Sequence, residues 1–129
     1  MDIFHKKESL GRMATFLLPS LKLKTRNPQT GETVEEMVHK CLMKDYNGYT
    51  VSAGNIFGYW KDDKGEELYG EHREYKVSFA GKEKIDYLSN YLAYVALLIN
   101  ESCIYFETGE DSWLIYPTEE FRQSYQNYR

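Results

Sequence analysis

The sequence is poor in the residues that mark several common protein classes. Its 129 residues include only two cysteines and three prolines, and no apolar run approaches the roughly 20 residues that span a bilayer. Cys41 and Cys103 are too few for a disulfide framework or a zinc site of their own. We therefore expect a protein of the reducing cytoplasm, with no metal centre and no contact with a membrane.

An excess of basic residues is also lacking. The chain has 16 lysines and arginines against 20 aspartates and glutamates, a net charge of -4. Binding to duplex nucleic acid through a basic face needs clustered lysine and arginine to neutralise phosphates. The charge balance argues against that class of partner.

Common catalytic signatures are missing from the sequence as well. It has no Gly-x-x-x-x-Gly-Lys phosphate loop, no Gly-x-Ser-x-Gly elbow and no His-Glu-x-x-His metal motif. We therefore favour a protein that is not an enzyme and expect neither catalytic residues nor a cofactor.

The length fits one compact domain, and no linker or repeat divides it. We predict a single α+β domain over residues 1–129, with residues 1–12 and 118–129 as peripheral arms. Tyrosine is the abundant residue, with 12 copies.

The first predicted helix begins after Thr33, which forms a capping-box pattern with Glu36. Asn47-Gly48 is predicted to end this helix with a left-handed residue. Its apolar stripe consists of Val34, Met37, Val38, Cys41 and Leu42.

The second predicted helix runs from Lys82 to Asn100 and has no charged residue from Tyr87 onward. A surface helix normally keeps a charged face, so we expect this one to be covered on two sides, on one of them by another subunit. One stripe consists of Ile85, Leu88, Leu92, Val95 and Ile99, and the other of Tyr87, Tyr91, Tyr94 and Leu98.

Strands are predicted where apolar and polar residues alternate between turn signals. They cover Met13 to Lys24, Tyr49 to Trp60, Leu68 to Phe79, and a last strand or hairpin from Cys103 to Tyr116. The order strand, helix, strand, strand, helix, strand predicts a ferredoxin-like split βαβ fold (βαββαβ), an antiparallel sheet with both helices on one face.

Residues 46–79 resemble PII-like signalling proteins. The resemblance lies in Gly48-Tyr49-Thr50-Val51, Phe57-Gly58, Leu68-Tyr69-Gly70-Glu71 and Glu74-Tyr75. Members of that family form trimers and hold small ligands, often adenine nucleotides, between subunits. The resemblance implies a mobile loop region over Tyr59 to Glu74 and a close approach of the ligand at Gly58. The glycine-rich phosphate-binding segment of the family is absent after the second helix.

The densest cluster of functional side chains lies at the start of the third predicted strand. Alternation places Glu71 and Arg73 on the face that also carries Tyr75, where a cleft would open beyond the core. We predict that Arg73 binds an anion with its planar guanidinium and that Glu71 orients it. The complete set of predicted ligand-binding residues is Arg73, Glu71, Tyr75, Trp60, Gly58 and Tyr69.

Two functions of different class follow from these observations. The first is a non-catalytic homo-oligomer, with a trimer preferred, that holds a small anionic or nucleotide-like ligand between subunits. The alternative is a protein-interaction module, such as a small inhibitor or adaptor encoded by a phage or mobile element, because tyrosine and tryptophan are favoured anchors in interfaces. A weaker third reading is an enzyme that uses Glu71 and His72 as acid and base.

Overall fold

The computed structural model describes residues 4–61 and 63–127. Residues 1–3 of the predicted N-terminal arm, residue 62 of the predicted turn and residues 128–129 of the predicted tail lie outside the described residues. The described chain is α+β, as predicted, with an open antiparallel sheet and helices.

The sheet has six strands. They are β1 (Arg12–Pro19), β2 (Gly48–Val51), β3 (Ile56–Lys61), β4 (Glu67–Phe79), β5 (Ile104–Glu107) and β6 (Ser112–Ile115). The α-helices within the described ranges are α1 (Val34–Asp45), α2 (Glu83–Leu98) and α3 (Glu119–Asn127), and a short 3-10 helix covers Ser20–Lys22.

Strand β4 is the longest strand of the sheet and pairs with three others. The strand order is β2-β4-β1-β5-β6, with β3 also paired to β4, and every pairing is antiparallel. One edge of β4 pairs with β1, whereas the other pairs with β2 near Phe79 and with β3 near Glu67.

The predicted strand from Tyr49 to Trp60 is interrupted in the structure. Val51 lies opposite Tyr75 and Ile56 lies opposite His72, so the segment between β2 and β3 has more residues than the part of β4 that it faces. Ser52 holds this bulge in place because its backbone N–H donates to the Glu74 carbonyl and its hydroxyl accepts from the Glu74 N–H, both at 2.9 Å. The bulge separates a short strand next to the core from the β3–β4 hairpin.

The hydrophobic core lies between one face of the sheet and the helices. Alternate residues of the three inner strands are fully or almost fully buried on this face: Ala14, Phe16, Leu18, Tyr75, Val77, Phe79, Ile104 and Phe106. They form one cluster with Val38 and Leu42 of α1 and with Leu88, Leu92 and Val95 of α2. Tyr125 of α3 packs against the same cluster, so within the described residues no α-helix covers the opposite face of the sheet.

Helix α1 starts as the sequence predicts and ends differently. The Thr33 hydroxyl accepts a hydrogen bond from the Glu36 N–H at 3.1 Å, which satisfies one of the free donors of the first turn. The helix ends at Asp45, and Tyr46 then takes an extended backbone (φ -129°, ψ 161°). The predicted left-handed stop at Asn47-Gly48 is wrong, because the chain passes from helix directly into the extended conformation of β2.

The tyrosine stripe of α2 is covered largely by other parts of the same chain. The Tyr94 hydroxyl accepts from the Asn27 side-chain amide at 3.0 Å, and the Tyr94 ring meets Tyr125 of α3 edge to face. Tyr91 packs against the core, whereas Tyr87 remains 63% exposed. None of the described helices is long and apolar enough to cross a membrane.

Two other strand predictions change at their ends. Strand β1 stops at Pro19, where the chain turns into the 3-10 helix, because proline cannot donate to the next ladder bond. The predicted last hairpin forms as β5 and β6, closed by a hydrogen bond from the Thr108 N–H to the Asp111 carbonyl at 2.9 Å.

Truncation of Leu42 tests the assignment of the buried face of α1. Leu42 is fully buried, so Leu42→Ala is expected to lower the free energy of unfolding by about 2–5 kcal/mol. Met43, on the same helix and 57% exposed, provides the matched control: Met43→Ala should change it by less than about 0.5 kcal/mol. Urea denaturation measures both, and equal effects would mean that the helix face is wrongly assigned.

Candidate functional site

A groove of about 350 Å³ lies on the helix-free face of the sheet. Its walls come from the end of β1, the 3-10 helix, the β3–β4 hairpin, the segment after α2, and the final hairpin. The lining residues are Leu17, Pro19, Leu21, Lys22, Trp60, Tyr69, Gly70, Glu71, His72, Glu101, Cys103, Ile104, Tyr105 and Leu114. The lining is mainly apolar, with a few polar and charged groups, as is typical of small-molecule sites.

Two glycines that face each other across the hairpin make room for the aromatic rings of the groove. Gly58 of β3 lies directly opposite Gly70 of β4. A Cβ atom on Gly70 would lie 2.5 Å from Cε1 of His72, and one on Gly58 would lie 3.0 Å from Cζ3 of Trp60. The Trp60 and His72 rings therefore lie over glycine backbone, with their centroids 5.5 Å apart. A side chain at either glycine would push the rings out of place.

His72 is the most deeply buried polar residue of the groove. It is 7% exposed, and its Nδ1 atom is buried without a hydrogen-bond partner. Burial lowers the pKa of the imidazole below its ordinary value of 6.5, although backbone carbonyls of Gly70 and Ile56 and the charge of Glu101 oppose the shift. The ring is therefore neutral near pH 7, with one nitrogen as a donor and the other as an acceptor.

One charged pair lies at the groove where the chain leaves α2. Asn100 adopts a left-handed backbone (φ 57°), and the Glu101 N–H donates to the Ala96 carbonyl at 2.8 Å, which is the Schellman arrangement for ending a helix. This turn brings Glu101 to Lys22, whose ammonium lies 2.9 Å from the carboxylate and also donates to the Asn100 carbonyl at 3.3 Å. The positive charge of Lys22 is thus already paired with the Glu101 carboxylate.

The structure brings three of the predicted site residues together. Trp60, Tyr69 and Glu71 all line the groove, and the Tyr69 hydroxyl lies 3.5 Å from the Glu71 carboxylate. Gly58 lies next to them, but the Trp60 ring covers its backbone. The space predicted for a ligand at Gly58 is therefore occupied by protein.

Arg73 and Tyr75 do not line the groove. They follow Glu71 on the same face of β4, in the part of the strand that lies nearer the core. The Arg73 guanidinium donates through Nη1 to the Ser52 carbonyl at 3.2 Å, and its Nε atom is buried without a partner. Tyr75 is 2% exposed and stacks between Phe16, with centroids 5.1 Å apart, and Tyr49. Both faces of its ring are covered, which favours a core role over stacking on a ligand.

Sequence reasoning named His72 only as an acid–base partner of Glu71 and not as a ligand-binding residue, and it did not anticipate the contributions of Lys22 and Glu101. A signal for His72 was present, because alternation places it on the face of β4 opposite Tyr75 and Val77. No local pattern indicates Lys22 and Glu101, which are far apart in sequence and meet only through the turn at Asn100.

The described residues contain no group of three or more histidine, cysteine, aspartate or glutamate side chains that could hold a metal ion. His39 on α1 makes a 2.5 Å hydrogen bond with the Tyr49 hydroxyl. No known protein family, curated protein or solved structure matches the chain. The site must therefore be interpreted from its own geometry.

Burial of His72 predicts a pH dependence of stability. Because its pKa is lower in the folded state than the ordinary 6.5, the unfolded chain binds the proton more readily. The neutral His72 imidazole contributes fully to the free energy of unfolding above the ordinary pKa. This contribution is lost as the pH falls through the folded-state pKa. Denaturant unfolding on both sides of pH 6.5 should show the parent losing stability relative to His72→Gln as the pH falls. Curves that stay parallel would contradict the burial of a neutral imidazole.

Proposed function

We propose that the protein binds a small planar ligand in the groove and does not transform it. The observation that carries the proposal is the buried His72 imidazole, whose Nδ1 atom has no hydrogen-bond partner, beside the Trp60 ring in a groove of about 350 Å³. Leaving a buried polar atom unpaired costs roughly 1–3 kcal/mol. A ligand that stacks on the indole and draws the imidazole toward the groove would give Nδ1 a partner and recover this cost.

The charges of the groove favour a neutral ligand over a phosphorylated one. Glu71 and Glu101 contribute two carboxylates to the lining, and the ammonium of Lys22 is paired with Glu101. Among the described residues of the lining, a phosphate group would meet no cation that is not already paired, and it would be repelled by Glu71. A heterocyclic ring such as a nucleobase matches the groove better than the anionic ligand expected from Arg73.

Three further features belong to this proposal: binding without catalysis, a ferredoxin-like fold and a homo-oligomer. Binding without catalysis agrees with the resemblance of residues 46–79 to PII-like proteins. We propose a ferredoxin-like fold, supported by the position of β4 between β1 and β2 and of β1 between β4 and β5, which are the two split βαβ units. We also propose a homo-oligomer in which the exposed Tyr87 of α2 contacts a second subunit.

A thermal-shift screen tests ligand binding and locates the site. Its panel contains nucleobases, nucleosides, nucleotides and planar aromatic metabolites. A compound that binds the folded state raises the melting temperature by mass action, and we expect neutral rings to do so more than their phosphorylated forms. Trp60→Ala should abolish the shift because the stacking surface is lost. Tyr59→Ala, on the other face of the same strand, should keep it.

Arg73→Ala distinguishes the groove from the site predicted by sequence. If the ligand lies in the groove, this variant binds like the parent. If the rise in melting temperature survives Trp60→Ala but disappears in Arg73→Ala, the ligand binds at Arg73 and not in the groove. A complete absence of shifts across the panel would contradict the proposed function.

A further inference from the structure

The β3–β4 hairpin has a second surface, which adjoins the groove at Tyr69 and Glu71 and extends to the other side of the two strands. Cross-strand neighbours on this side are Phe57 with Glu71, Tyr59 with Tyr69, and Lys61 with Glu67. We call these six residues the acidic aromatic face.

Three rings of this face form an exposed cluster. Phe57 is 54% exposed, Tyr59 76% and Tyr69 55%. The Tyr69 ring stacks on Phe57 with centroids 5.8 Å apart and contacts Tyr59 at 5.1 Å. Single exposed aromatic residues are common on proteins, whereas contiguous exposed patches mark interaction sites. The cluster lies beyond the helices and none of its three rings belongs to the buried core.

The charge of the hairpin indicates the chemistry of a partner. Between Phe57 and Glu71 the sequence has five carboxylates and two lysines, so a large share of the net negative charge of the chain lies here. Phosphates of a nucleic acid would be repelled, although aromatic rings alone could stack on bases. A cationic partner would be attracted.

An arginine side chain can interact with both the aromatic rings and the carboxylates of the face. Its planar guanidinium stacks on tyrosine rings and forms paired hydrogen bonds with carboxylates, whereas a lysine ammonium acts as a point charge. Glu67 and Glu71 lie on either side of Tyr69 along the same face of β4, so a guanidinium over the ring has a carboxylate nearby in either direction.

We infer that the acidic aromatic face docks an arginine-containing segment of a partner protein. The arginine side chains stack on Tyr59 and Tyr69 and pair with Glu67 or Glu71. This surface adjoins the groove at Tyr69 and Glu71, which border both. Strand alternation directs Trp60 to one side of β3 and Phe57 and Tyr59 to the other, so removal of Phe57 and Tyr59 leaves the stacking ring of the groove in place.

Selection of short random peptides on the purified protein tests the inference. We expect the recovered peptides to be enriched in arginine and to bind the double variant Phe57→Ala/Tyr59→Ala about tenfold more weakly or worse. Neither residue lines the groove. Tyr116→Ala removes a half-exposed tyrosine elsewhere and should bind the peptides like the parent. Thermal unfolding verifies that all variants are folded.

Three substitutions in the experiment test the role of the guanidinium. Citrulline has the shape of the arginine side chain without its charge, so peptides in which citrulline replaces arginine should lose binding. Peptides in which lysine replaces arginine should bind several-fold more weakly than the arginine peptides. Glu67→Gln should weaken binding of the arginine peptides, because the guanidinium loses a carboxylate partner. The inference is overturned if the selected peptides lack arginine, if they bind the double variant as well as the parent, or if no recovered peptide depends on this face.

Discussion

Antiparallel pairing along β4 is the interaction on which the rest of the structure depends. Its 13 residues pair with β1 on one edge and with β2 and β3 on the other. The half that ends at Phe79 contributes buried rings to the core, whereas the half that begins at Glu67 continues beyond the helices as the β3–β4 hairpin. Because side chains alternate between the faces of a strand, this one set of pairings decides which residues enter the core and which remain accessible.

The hairpin shows how the same two strands produce two different surfaces. On one side the paired glycines Gly58 and Gly70 lack side chains, so the Trp60 and His72 rings lie close to the backbone and line a groove. On the other side the residues that precede and follow the glycines along the two strands are aromatic or charged, and they form the exposed acidic aromatic face. The chemical difference follows from strand alternation: small residues and the rings that cover them share one side, and exposed tyrosines with carboxylates share the other.

The elements of the fold were predictable where one local signal decides the structure. The Thr33 capping box and the apolar stripe through Leu42 identify α1, and the alternation of Val77 and Phe79 identifies the buried face of β4. The same alternation already placed Tyr75 on the core side, so its assignment to a ligand site went against the pattern. The groove was not predictable, because Lys22 is separated by 78 positions from Asn100, to whose carbonyl it donates, and by 79 positions from Glu101, its ion-pair partner. Such contacts depend on tertiary packing and leave no periodic signal.

Binding of a planar ligand beside Trp60 is tested most directly by the indole N–H signals of the two tryptophans. Trp60 lines the groove, whereas Trp113 lies on β6 against Phe106, with ring centroids 5.5 Å apart. Nitrogen-edited NMR spectra recorded during titration with nucleobases and other planar fragments follow both signals in one sample. We expect a saturable shift of the Trp60 signal while the Trp113 signal stays in place. A Trp60 signal that no fragment moves, or a Trp113 signal that moves equally, would contradict binding in the groove.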